Sequence, residues 1–143
     1  MKPVDQSISD PNRGDCQRAT IASLLEFEIE QVPHFRLFAD NMWQYVYTEF
    51  LWSVGYSFEG TGYPGKTELR VEDSFDGFFS AAVGSKNFEG KTHSVVIDMH
   101  GVVVHDPSPT KKYQGENVLE SGALLHWALV SRRTDESWLN WTK

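Results

Sequence analysis

The chain has 143 residues, 40% of them hydrophobic and 13% aromatic, and a formal net charge of −7. That much apolar material in roughly one domain's length of chain supports a folded core and argues against intrinsic disorder. The acidic balance repels phosphate backbones, so nucleic acid is not an expected partner.

The single cysteine, Cys16, excludes an internal disulfide and a multi-cysteine zinc site, and it suits a reducing, cytoplasmic setting. No apolar run approaches the ~20 residues that span a bilayer, and residues 1–7 lack the apolar core of a signal peptide. No membrane partner is expected.

In chain order, residues 5–12 are polar and interrupted by Pro11, which predicts an extended arm leading into Arg13-Gly14-Asp15-Cys16. Ala19, Ala22, Ser23, Leu24 and Leu25 then fall at helical offsets from Cys16, predicting a helix over about 16–26 with Asp15 as its N-cap. Val32-Pro33 stops any continuation. A second amphipathic helix is predicted over 41–54, capped by Asp40, with Met42, Tyr45, Val46, Glu49, Phe50 and Ser53 along one path. Gly55, Gly60, Gly62, Pro64 and Gly65 predict a turn-rich connection. Strands are predicted at about 77–83, 93–99, 101–105 and 123–131, with a hairpin around His100-Gly101.

Helices followed by antiparallel strands imply an α+β fold with the helices on one side of the sheet. The expected organisation is a single domain, with a helical half over about 1–55, a β-rich half over about 66–133 and a tail at 134–143. Trp138 and Trp141 of that tail are expected to dock on the body.

Cys16 at a helix start is placed where unpaired backbone N–H groups and the positive end of the helix dipole stabilise a thiolate. The Asp15 carboxylate next to it pulls the other way. His93 begins a strand after the Gly90-Lys91-Thr92 turn and is the candidate base. Two hairpin strands separate it from Asp106, at the end of Val102-Val103-Val104-His105-Asp106-Pro107, where a carboxylate would orient the imidazole. Gln6, in the arm that passes the helix start, is the candidate side-chain donor for an oxyanion, with the Cys16 N–H as the second.

Alternation sends Asp98, His100 and the residues between them to opposing faces, and no His-x-x-x-His helix spacing exists, so a metal centre with His105 and Asp106 is not expected. Gly60-Thr61-Gly62-Tyr63-Pro64-Gly65 lacks the Lys-Ser/Thr ending of a phosphate loop. No cofactor is expected.

Together Gln6, Gly14-Asp15-Cys16, His93-Ser94-Val95-Val96 and His105-Asp106-Pro107 resemble, in order and over most of the chain, the papain-like cysteine peptidase clan. The Asp-Pro step after the hairpin is most similar to the bacteriocin-processing peptidase branch. The stretch Gly14 to Leu25 with Val32-Pro33-His34-Phe35 is similar to small bacterial and phage proteins of that type. Gln17-Arg18 after the cysteine and the longer stretch from Gln6 to Cys16 depart from the family's usual pattern.

The resemblance implies a cysteine hydrolase acting as peptidase, isopeptidase or acyl-transfer enzyme on a peptide, isopeptide or small molecule, with Cys16, His93, Asp106 and Gln6 as its catalytic residues. The second function class is a non-catalytic binding protein on the same fold, phage-encoded, that holds a peptide or small nucleotide-like ligand or blocks a host partner. The oligomeric state is left open.

Overall fold

The computed structural model describes residues 1–39 and 42–133. Among the described residues three α-helices, α1 (Cys16–Leu25), α2 (Trp43–Ser53) and the short α3 (Val118–Ser121), accompany five strands. These are β1 (Tyr56–Gly62), β2 (Phe79–Gly84), β3 (Thr92–Ile97), β4 (Val103–His105) and β5 (Leu124–Arg132). The sheet order is β1-β5-β2-β3-β4 with every neighbouring pair antiparallel, so the fold is α+β.

Both faces of the sheet are covered. On one, Ile21 and Leu24 of α1 and Tyr47 and Leu51 of α2 pack with Phe35 over Tyr56, Val96 and Val130. On the other, Tyr113 and α3's Val118 close over Phe79, Val83, Val95 and Trp127. The alternation of strand side chains sends Val95 and Val96 to these separate cores.

α1 ends at Leu25 because Glu26 turns left-handed at φ 59 and its N–H returns to the Ala22 carbonyl. Asp15 occupies the N-cap position, but its side chain makes no capping hydrogen bond, contrary to the sequence expectation. It turns back to the arm instead, where its Oδ1 accepts from Ser7 N at 2.9 Å and Ile8 N at 2.8 Å, and its Oδ2 from Ser7 Oγ at 2.5 Å.

The buried stripe of α2 is also shifted from the expected one. Tyr47 and Leu51 are its buried residues, with Trp43, Val46, Phe50 and Val54 packed beside them, while Met42 and Tyr45 are exposed. The helix is apolar on most sides, so the position of the core rather than the periodicity selects the face. The expected Asp40 cap, and the docking of Trp138 and Trp141, lie outside the described residues.

The glycine-rich stretch expected to be a turn-rich connection is strand β1, paired with β5 from Tyr56↔Arg132 to Gly62↔Trp127. At Gly62 the glycine answers a close approach. A Cβ on Gly62 would stand 2.4 Å from Trp127 Cε2 and 2.5 Å from its Nε1. Gly62→Ala is expected to lower stability by about 2 kcal/mol through overpacking of this contact, read as a lower urea midpoint with an unchanged slope.

The β3–β4 hairpin forms where expected. Asp98 Oδ1 accepts from His100 N at 2.8 Å and Val102 N at 3.1 Å, and Gly101 supplies the φ of +87 that the turn needs.

Candidate active site

Cys16 is the first residue of α1, so its backbone N–H has no partner within the helix. The thiol is 8% exposed. It faces the first half of β3, and the length of β4 explains why that half is open to it. β4 pairs only with Val96 and Ile97, leaving the outer edge of β3 at Ser94 without a neighbouring strand. The Ser94 N–H is therefore free to donate to Cys16 Sγ, at 3.4 Å.

His93, one residue earlier, is held by Asp106 just beyond β4, with Nε2 2.7 Å from Asp106 Oδ1. The imidazole is 10% exposed and the carboxylate 1%. Since Nε2 is occupied by Asp106, Nδ1 is the ring nitrogen left for the thiol.

Asp106 is itself fixed from several directions. Its Oδ1 accepts from Ser108 N at 3.0 Å and its Oδ2 from Tyr113 N at 3.0 Å. Its own N–H donates to Gln114 Oε1 at 2.8 Å, while Gln114 Nε2 donates to the Val104 carbonyl at 2.9 Å. Gln114 thus continues the pairing of β4 where the ladder has ended. Lys111 Nζ ties the Asp106 carbonyl, at 2.8 Å, to Asp5 of the arm.

The electrostatics follow from this geometry. Burial pushes the Cys16 thiol up, but the hydrogen bond and charge of His93 and the Ser94 N–H outweigh it, leaving the thiol below its ordinary value of 9.0. Burial alone would lower His93, yet Asp106 and Cys16 together raise it to about 9. Burial likewise opposes ionisation of Asp106, and His93 with the Tyr113 and Ser108 amides overcomes it and holds the carboxyl below its ordinary value. The three shifts act together, favouring the thiolate–imidazolium form of the pair and keeping Asp106 a carboxylate behind it.

Gln6 is brought to this centre by the arm. Its N–H donates to the Pro107 carbonyl at 2.9 Å, and the two preceding residues meet His105, whose Nε2 lies 2.8 Å from the Val4 carbonyl. The side chain lines the same hollow as Cys16 and His93. One hydrogen of Nε2 is engaged by the Ile8 carbonyl at 2.8 Å, and Oε1 is buried without a hydrogen-bond partner.

Two spaces flank the thiol. A cleft of about 440 Å³ opens between the Phe35–Phe38 turn, Trp43 at the start of α2, and Ala82, Ser94 and His126 of the sheet. It adjoins a recess of about 120 Å³ between Trp43, Tyr47 and Phe58. Burial holds the His126 imidazole below its ordinary value, so it is neutral where these two spaces meet. On the other flank a hollow of about 30 Å³ is bordered by Gln6, Asp10, Lys91 and His93.

All four residues singled out in the sequence therefore meet at one place. Sequence reasoning missed Ser94, Gln114, Tyr113 and Arg36. Only the support of Asp106 had a local signal, since Asp106-Pro107-Ser108 is the type of Asx turn in which a carboxylate accepts from the amide two residues on. No family model, curated protein or solved structure matches this chain.

Proposed function

We propose that this chain is a papain-like cysteine hydrolase, cleaving or transferring acyl groups from a peptide, isopeptide or small-molecule amide. The observation that carries the reading is the Cys16–His93–Asp106 chain, with a 2.7 Å His93–Asp106 contact and a thiol shifted toward thiolate.

His93 takes the thiol proton, and the Cys16 sulfur lone pair forms a bond to the substrate carbonyl carbon as the carbonyl π electrons move to oxygen. In this reading the Cys16 N–H and the remaining Gln6 N–H receive that oxyanion. Collapse re-forms the carbonyl and breaks the carbon–nitrogen bond, with His93 giving its proton to the leaving amine. A water then loses a proton to His93, adds to the thioester and releases the acid and the Cys16 thiol. Asp106 keeps the ring in one orientation and stabilises its charged form.

Such a thiol stays available only where it stays reduced, so the cytoplasm is the compartment we assign. Among the described residues, no helix is long and apolar enough to cross a membrane.

p-Nitrophenyl acetate tests the reading without knowledge of the substrate. The expected result is a burst of one nitrophenol per chain and a chain heavier by one acetyl group, followed by slow turnover that His93→Ala removes. Cys16→Ala should show no burst. A burst of the same size in Cys16→Ala would overturn the proposal.

A further inference from the structure

We infer that Arg36 seats a carboxylate of the substrate beside the reacting thiol, so that the preferred substrates are anionic. The inference rests on the hydrolase reading for the reaction and adds the charge of what is bound.

Arg36 lies in the short turn Phe35–Leu37 and, like Cys16 and Thr92, borders both the large cleft and the small hollow. It therefore borders the space open to a substrate on either flank of the thiol. It makes no ion pair or hydrogen bond among the described residues, whereas Arg18 pairs with Asp15 and Arg132 with Asp76. What sets this exposed guanidinium apart, in a chain of net charge −7, is its position. It is the only Asp, Glu, Lys or Arg bordering the large cleft among the described residues.

The hollow adds a second cation, Lys91, whose Nζ is held only loosely by Asn12 Oδ1 at 3.3 Å. The one acid there, Asp10, has its Oδ1 occupied by the Asn12 and Arg13 amides, each at 2.8 Å. Around the thiol the fixed charges thus favour an anion, while the chain as a whole repels one. A planar guanidinium with five donors matches a carboxylate in two-point contact.

Iodoacetate and iodoacetamide provide the test, since they differ in the carboxylate and react in the same way. The Cys16 sulfur lone pair bonds to the methylene carbon and iodide leaves with the carbon–iodine electrons. The ratio of the two rates cancels any change in the thiolate population, so it reads how the surroundings of the thiol receive the carboxylate of the reagent. His93 in its charged form also attracts iodoacetate, which makes the change on substitution the decisive quantity.

In Arg36→Gln the iodoacetate-to-iodoacetamide ratio is expected to fall about tenfold, with Arg36→Lys in between. An unchanged ratio in Arg36→Gln overturns the inference. Failure of the hydrolase reading looks different, because iodoacetamide would then follow an ordinary thiol at every pH in the wild type.

Protection against iodoacetamide separates the two sources of carboxylate. Acetyl-Phe-Gly acid presents a C-terminal carboxylate, acetyl-Phe-Glu amide an acidic side chain, and acetyl-Phe-Gly amide neither. One charged peptide is expected to protect better than the neutral one in the wild type but not in Arg36→Gln, and its identity names the source. Equal protection by all three overturns the inference.

Discussion

His93→Ala is expected to slow alkylation of Cys16 by iodoacetamide at pH 6 by on the order of 100-fold, while the protein stays folded. The thiolate is the reacting species, so the rate against pH reports its population. In the wild type, the midpoint of the rise should lie below the ordinary thiol value of 9.0, because His93 and the Ser94 N–H overcome the effect of burial. Removing the imidazole deletes the hydrogen bond and the charge together and leaves burial in place, which moves the profile up to or beyond an ordinary thiol. Part of the loss is offset because a more basic thiolate is the stronger nucleophile.

The same pair sets the profile of acyl transfer. The rate should rise as Cys16 loses its proton and fall as His93 loses its own at about 9, since the leaving amine needs that proton. A wild-type alkylation profile that overlays that of His93→Ala would remove the Cys–His pair from the mechanism.

How much of this was readable beforehand depended on how local the signals were. The β3–β4 hairpin, from which His93 and Asp106 are hung, follows from Asp98 and Gly101 and two valine-rich runs, all within a dozen residues. A Gly-Asp-Cys step before a helical apolar pattern placed Cys16 correctly. Contacts between distant segments were not readable. β1 looked like a connection because Gly62 responds to Trp127, more than sixty residues later, and Gly60 to the register shift against β5, and nothing within residues 56–62 announces that partner. β5 inserts between β1 and β2, which no count of alternating residues can foresee. The open edge of β3 beside Ser94 depends on where β4 stops, and that in turn on Gln114 taking over its pairing.

Asp15 shows the same limit at the site itself, and its substitution is the second large effect expected. By adjacency it looked like a helix cap that would raise the neighbouring thiol. Its carboxylate is instead 1% exposed and directed away from Cys16, gathering the Ser7 and Ile8 amides and the Ser7 hydroxyl, with Arg18 Nη1 3.8 Å away. These residues adjoin Gln6, so Asp15 holds the arm that presents the oxyanion donor. Asp15→Ala removes three charge-assisted hydrogen bonds at once. The freed arm can rehydrate its amides, which limits the net loss to about 3 kcal/mol. Asp15→Asn keeps one carbonyl acceptor and should cost about 1 kcal/mol.

Urea unfolding gives the stability change, and hydrogen exchange at the Ser7 and Ile8 amides shows whether the arm has detached. The alkylation profile of Cys16 should hardly move in Asp15→Ala, because the groups that tune the thiol are on β3. The two variants therefore act oppositely, His93→Ala on reactivity with the fold retained and Asp15→Ala on the arm with reactivity retained. A Cys16 profile shifted by Asp15→Ala as far as by His93→Ala would show that arm and thiol are one coupled unit and would overturn this division.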